Sequence, residues 1–309
     1  MLLEMAIGDA YGIGFEFVKS NKHPNDLANF YQHPKYTNLI PGQYTDDTQR
    51  ALANVTVICH MNAYDPRSFA QSYVSEFQQS PRDGYSRNFQ ALIESCRDGN
   101  DLMSKISPTK DSNGSIMGVA PIGYLEDINT VMRIAGIQAT VTHGYRTIPF
   151  AQMIALSTHY FLYDLGPKDE LLEFLNDKLG EQYFVVDGRH PIKNTFSTIF
   201  KESEYEDIIE SCDMSAYKTA YHALYAVLSH DNLADMLKHC IDVDGDTDSL
   251  AAIAMAIGSC SREIENNLPQ HLYDVLENGP RGRDYITNLD NVINNVYFPN
   301  TWIAQELKK

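Results

Sequence analysis

The sequence predicts an all-α protein folded as one domain over residues 1–309. Three observations carry that expectation. Apolar residues recur at helical spacing through most of the chain. Strand-like alternation is nearly absent. The periodic stretches are joined by short Pro, Gly and Asn punctuation such as "SPRDG" (80–84), "NG" (113–114) and "LGPKD" (165–169), with no linker-like stretch and no repeat of fixed period.

The elements follow in chain order. In "MAIGDAYGIGFEFV" (5–18), Gly8, Gly12 and Glu16 are four apart and Asp9 lies seven before Glu16, so a helix running through Glu16 puts all four on one face. Gly inside a helix costs ~1 kcal/mol against Ala. Two on one face imply close approach of another backbone or a ligand, and spacing alone favours helix packing with Asp9 and Glu16 solvated. After "GQYTDDT" (42–48), Leu52, Val55 and Ile58 or Cys59 trace the stripe of an amphipathic helix. Further helices are predicted near 66–79, 86–97, 127–139, 147–163 and 169–179. "YFVV" (183–186) is the best short strand, inside a polar loop, 183–194, that carries Asp187, Arg189 and His190 and reads as a solvated excursion or a lid. Tyr217, Ala220, Leu224 and Leu228 mark another helix, and one is predicted near 231–240. Leu250, Ile253, Ala254 and Ile257 follow the i, i+3, i+4, i+7 rule, and two more helices are expected near 268–277 and 284–296.

Composition narrows the function. Hydrophobic residues make up 43 % of the chain, enough for a real core. A net charge of −17 argues against a nucleic-acid backbone and against an anionic membrane surface as partners. Cys59, Cys96, Cys212, Cys240 and Cys260 form no C-x-x-C pair, which points to reduced thiols and a cytoplasmic protein. Glu4 and Asp9 interrupt the first apolar run, with no basic segment before it, so no signal peptide is expected. No apolar stretch approaches the ~20 residues of a membrane span.

Two acidic clusters share one design. Thr45, Asp46 and Asp47 sit just before a predicted helix; Asp246, Asp248 and Ser249 sit where "DVDGDTDSLAAIAMAIGS" (242–259) turns from loop to helix. One reading is capping, because these residue types satisfy the free N–H groups of a first turn. Capping does not account for two pairs of carboxylates. The other reading is a site for hard cations, which prefer carboxylate and hydroxyl oxygen. Four Asp carboxylates brought together need compensating charge, and two divalent ions supply it. An EF-hand is excluded, since its sixth position would be Thr247 and its twelfth Ile253. "DVDGD" (242–246) also lacks the apolar strand that a haloacid-dehalogenase-type phosphatase places before its D-x-D-G motif.

Together these stretches resemble the ADP-ribosylglycohydrolase family. Its G-D-x-x-G-x-x-x-E motif matches Gly8, Asp9, Gly12 and Glu16. Its T-D-D-T motif matches Thr45 to Thr48, and its late G-D-T-D-[ST] motif matches Gly245 to Ser249. "SNGSIMGVAPIGYL" (112–125), "TVTHG" (140–144) and "PRDGYSRN" (81–88) are similar to its intervening segments. The resemblance implies a compact multi-helix orthogonal bundle with a binuclear Mg²⁺ or Mn²⁺ centre. It implies hydrolysis of the glycosidic bond between ADP-ribose and an acceptor on a protein side chain or small molecule.

By the same resemblance, Thr45, Asp46, Asp47, Asp246, Asp248 and Ser249 would ligate the metals. Glu16 and Asp47 would carry protons. Gly84, Tyr85, Asn113, Gly114, Ser115, Met117 and His143 would line the ADP-ribose cleft, although spacing alone makes His143 a structural histidine. Two positions depart from the pattern: Gly118 stands where an Arg often follows the Met, and Asp244 adds a charge beside the late motif. A non-catalytic ADP-ribose-binding or crystallin-like member of the same fold is the alternative.

Overall fold

The computed structural model describes residues 1–18, 23–61, 63–180, 183–186, 190–193 and 212–308. Its centre is one helix. Thr247–Gly258 is buried along its whole length. An Ala-rich helix that is apolar on every side can be covered on every side, and small side chains let its neighbours come close. Five helices pack on it: α1 (Leu2–Gly12), α2 (Asp46–His60), α7 (Ile148–Leu162), α9 (Ala216–Ser229) and α10 (Leu233–Asp242); the central helix itself is α11.

α1 and α11 form the closest of these pairs. A Cβ on Gly8 would stand 2.7 Å from the carbonyl oxygen of Ala251, and one on Gly12 would stand 2.5 Å from the Cα of Asp248. The two glycines thus serve a backbone approach, as their spacing allowed. The Thr247 hydroxyl donates to the Gly12 carbonyl at 2.8 Å, tying the end of α1 to the start of α11. α1 stops at Gly12, and Glu16 follows in a turn instead of on the helix face.

Around this core lie α3 (Pro66–Gln79), α4 (Arg87–Glu94), α5 (Gly99–Lys105), α6 (Ile128–Thr140), α8 (Leu171–Leu179), α12 (Gln270–Val275), α13 (Arg283–Val292) and α14 (Trp302–Glu306). Asp65, Asp98, Asp127, Ser215, Asn232 and Thr301 cap their helices through side-chain oxygens in the ordinary way. α7 is nearly all buried, and its Ser157 and Thr158 hydroxyls donate back to the carbonyls of Met153 and Ile154.

The fold is all-α apart from one small hairpin among the described residues. Strand β1 (Tyr183–Val186) pairs antiparallel with β2 (His190–Lys193), so the loop expected over 183–194 contains a two-stranded ladder. Asp187 and Arg189 lie outside the described residues. No cysteine is in a disulfide, and no helix among the described residues is long and apolar enough to cross a membrane.

Candidate active site

The two acidic clusters meet. Asp46 and Asp47 are the first two residues of α2, not residues preceding it, and Asp248 and Ser249 lie in the first turn of α11. Both pairs face one cavity of about 320 Å³, and Glu16 joins them on its wall. Carboxylate oxygens of Glu16, Asp246 and Asp248 all lie within 4.8 Å of one another.

Local capping is only a small part of what these residues do: the Ser249 N–H lies at the Asp246 carboxylate and helps to hold its pKa down against burial. Neither Thr45 nor Asp246 makes a side-chain cap hydrogen bond of ordinary geometry. For α2 the cap comes from a different helix. Asp9 of α1 is fully buried, and its carboxylate accepts the N–H of Thr45 at 2.9 Å and that of Thr48 at 2.9 Å. It also accepts both hydroxyls, Thr45 at 2.8 Å and Thr48 at 2.6 Å. One imported carboxylate thus satisfies the start of α2 and leaves Asp46 and Asp47 to face the cavity.

The late cluster is held differently. Gly245 has φ +96°, and a Cβ there would collide with the carbonyl oxygen of Cys212. The N–H of Asp246 donates to that same carbonyl at 2.8 Å. Asn113 donates to the Asp246 carboxylate at 3.0 Å and to the Thr219 hydroxyl at 3.1 Å, bridging the loop before α6 to α9. Asp244 takes the N–H of Gly245 at 2.9 Å and does not reach the cavity wall.

Glu16 is fixed through its backbone. Phe17, at φ +49°, donates its N–H to the Gly245 carbonyl at 2.8 Å. His33 Nδ1 accepts the N–H groups of Lys35 and Tyr36, so its Nε2 carries the proton that reaches the Glu16 carbonyl at 2.9 Å. The Tyr36 hydroxyl lies beside the Glu16 carboxylate, where it works against burial to lower the pKa.

The remaining walls hold most of the residues expected to touch substrate. Gly84, Tyr85, Asn113, Gly114, Met117 and His143 all line the cavity. Gly84, at φ +115°, lies against Asp46, and a Cβ there would strike that carboxylate. The Tyr85 hydroxyl donates to Gln49 at 3.0 Å. His143 sits over Gly114 with its ring nitrogens on the Thr142 hydroxyl at 2.8 Å and the Ser112 hydroxyl at 2.9 Å. Burial, aided by Arg50 and Lys110, lowers its pKa to about 3, so the ring is neutral. Ser115 and Thr45 are not on the wall. Ser115 is fully buried and donates to the Ser112 carbonyl at 2.9 Å.

Three residues important here escaped the sequence reading: Asp9 as the brace of α2, Tyr36 beside Glu16, and Arg50, a buried cation on the cavity wall. Asp9 carried a signal, since it belongs to the first motif. Arg50 and Tyr36 carried none, because their roles depend on what packs against them.

The electrostatics are extreme. Burial, then the Asp246 charge, raises the pKa of Glu16 to about 8. Burial pushes Asp46, Asp47 and Asp248 well above the usual carboxylate range, and neighbouring carboxylates push further in the same direction. Asp47 Oδ1 and Asp248 Oδ1 are buried with no hydrogen-bond partner. Crowded carboxylates with orphaned buried oxygens fit hard divalent cations, which take oxygen ligands and bring the missing charge.

A pH dependence follows. A carboxyl whose folded pKa is raised makes the folded state bind protons that the unfolded state has released. Its contribution is complete below the unfolded pKa and disappears as pH rises through the folded one. For Glu16 that window runs from 4.5 to about 8. The melting temperature in chelator is expected to fall as pH rises through it, and Mg²⁺ or Mn²⁺ is expected to flatten the slope. A flat or rising trend in chelator would contradict this.

Comparison with known proteins agrees with the geometry. The family model described as ADP-ribosylglycohydrolase matches residues 1–300. An uncharacterized protein of Archaeoglobus fulgidus is 28 % identical over 83 % of this chain and 84 % of its own length. An ADP-ribosylarginine hydrolase of Pseudomonas putida is 24 % identical over 82 % of this chain and 67 % of its own. An ADP-ribosylhydrolase of Gallus gallus is 25 % identical over 69 % of this chain and 68 % of its own. Among solved structures, one titled as an ADP-ribosylglycohydrolase-related protein complex shares the fold, with a TM-score of 0.65, 20 % identity and 93 % coverage of both chains. The motif order, the paired acidic helix starts and a match along nearly the whole sequence give one result: the chain belongs to the ADP-ribosylglycohydrolase family.

Proposed function

We propose that this protein is a metal-dependent hydrolase that cleaves the glycosidic bond between ADP-ribose and an acceptor, reversing ADP-ribosylation. The observation that carries the reading is the shared wall: Glu16, Asp46, Asp47, Asp246 and Asp248, drawn from three distant stretches, line one cavity. The names of relatives as ADP-ribosyl hydrolases support the bond class. The acceptor classes are arginine, serine, guanidine, nucleic-acid ends and other small molecules.

In this reading Thr45, Asp46, Asp47, Asp246, Asp248 and Ser249 hold two divalent cations, Mg²⁺ or Mn²⁺. The Thr45 hydroxyl donates a hydrogen bond to Asp9, which would leave its lone pairs for an ion. When bound, the cations supply Lewis-acid stabilisation and make water easier to deprotonate at neutral pH.

The chain's own residues do the rest. The reacting carbon passes through an oxocarbenium-like state. Gly84, Tyr85, Asn113, Gly114 and Met117 form the walls that orient the nucleotide, with neutral His143 beside them. Glu16 and Asp47 divide the proton work: one accepts a proton from water and the other gives one to the leaving group. In the metal-free site burial raises the proton affinity of both. The five free thiols support a reducing, cytoplasmic setting.

The test is a turnover panel of ADP-ribosylated arginine, serine and guanidine compounds, with Mg²⁺ and Mn²⁺ assayed separately. Release of free ADP-ribose from at least one substrate, abolished by chelation, is expected. Tight binding with no release from any of them would instead make the protein an ADP-ribose-binding module.

A further inference from the structure

We propose that Arg50 is the anchor for the diphosphate of the substrate, and that Gly118 is what admits it to the cavity. The assignment rests on the reading of the cavity as an ADP-ribose cleft.

Arg50 is an unusual residue in its setting. It is 2 % exposed, yet its side chain lines the cavity. Its guanidinium carbon lies 3.6 Å above the ring of Tyr73, and Nη2 donates to the Thr142 hydroxyl at 3.3 Å. Nε is buried with no hydrogen-bond partner. Among the described residues no carboxylate is paired with it, although the chain as a whole carries a charge of −17. Buried cations are ordinarily paired, and guanidinium has five donors in a fork that suits phosphate oxygens. The platform beneath it is rigid: the Tyr73 hydroxyl is held by Asn54 at 3.1 Å and Gln138 at 3.0 Å.

The placement also fits the ligand. Arg50 follows Asp47 by three residues on α2, so both lie on one helix face about 4.5 Å apart along the axis. In ADP-ribose the diphosphate is attached next to the terminal ribose. A ribose held by the carboxylate wall therefore presents its phosphates toward Arg50. The other cations of the cavity are less suited. Lys105 is engaged by Asp101 at 2.9 Å and by the Ser95 carbonyl at 2.9 Å, and Lys110 is exposed.

Gly118 explains why the guanidinium stands on α2. A Cβ at 118 would come within 2.6 Å of Arg50 Cβ and 2.7 Å of the Ala51 nitrogen. The absence of a side chain at 118 lets α2 lie against this loop with Arg50 facing the cleft.

The experiment measures the affinity of wild type, Arg50→Met and Arg50→Lys for ADP-ribose, ADP and Mn²⁺ by calorimetry. Arg50→Met is expected to weaken ADP-ribose and ADP alike by about 10- to 100-fold, the scale for a charged hydrogen bond, while Mn²⁺ affinity stays within about twofold. Arg50→Lys keeps the charge without the fork and should recover only part of the loss. Unchanged ADP-ribose affinity in Arg50→Met overturns the assignment. So does a fall in Mn²⁺ affinity in step with ADP-ribose in both variants, which marks a merely structural role. Wild type that binds no ADP-ribose overturns the hydrolase reading as well, whereas wild-type binding with an indifferent Arg50 variant overturns only this one.

Discussion

Asp47→Asn is expected to abolish hydrolysis and, in chelator, to raise the melting temperature of the protein. The two effects have one cause. Asp47 is 2 % exposed, its Oδ1 has no partner, and burial with Asp46 and Asp9 nearby disfavours its charge. Removing that charge relieves repulsion in the metal-free protein, and each kcal/mol relieved is about 2–4 °C in a large domain. It also removes a proposed cation ligand. Loss of a residue that merely supports a ligand costs about 10–100-fold in activity or metal affinity, so loss of the ligand should exceed about 100-fold. Turnover assays and melts with and without Mg²⁺ check both halves. Normal turnover by the variant in chelated buffer would end the metal-site reading.

Gly12→Ala is the second large effect. The new methyl would meet the Cα of Asp248 at 2.5 Å and the carbonyl of Thr247 at 2.6 Å, both backbone atoms that cannot rotate away. Overpacking of this kind costs about 1–3 kcal/mol. The damage is aimed, because the atoms displaced are the first turn of α11, which carries Asp248 and Ser249. Metal affinity and turnover should therefore fall further than a general loss of stability explains. The control is Gly180→Ala at the end of α8, where nothing lies within 4 Å of the added carbon, although its φ of +68° strains any side chain. Equal losses of metal affinity in the two variants would refute the α1–α11 argument.

The sequence makes the long striped helices legible, since a helix that buries one face must repeat its apolar residues. α5 has no such stripe in its seven residues, and α14 is only five long, so neither shows. The end of α1 is not marked by a proline, and there the Gly12 carbonyl meets the hydroxyl of Thr247, 235 positions away. The acidic helix starts are legible because two pairs of carboxylates have no simple local explanation. Asp9 is legible as a motif residue but not as a brace. Arg50 reads in sequence as an ordinary helix residue, since only the packing of Gly118 and Tyr73 shows where its guanidinium lies.

The brace of α2 by Asp9 and the seating of α11 against Gly12 also set an order in time. During synthesis the amino-terminal carboxylates leave the ribosome long before Asp246 and Asp248 exist to join them. A nascent chain halted near residue 240 would hold half a cage, with Asn113 waiting for the carboxylate it must grip. On the proposed metal-site reading, ion capture would therefore be a late event, and it would report that the two ends of the protein have found each other.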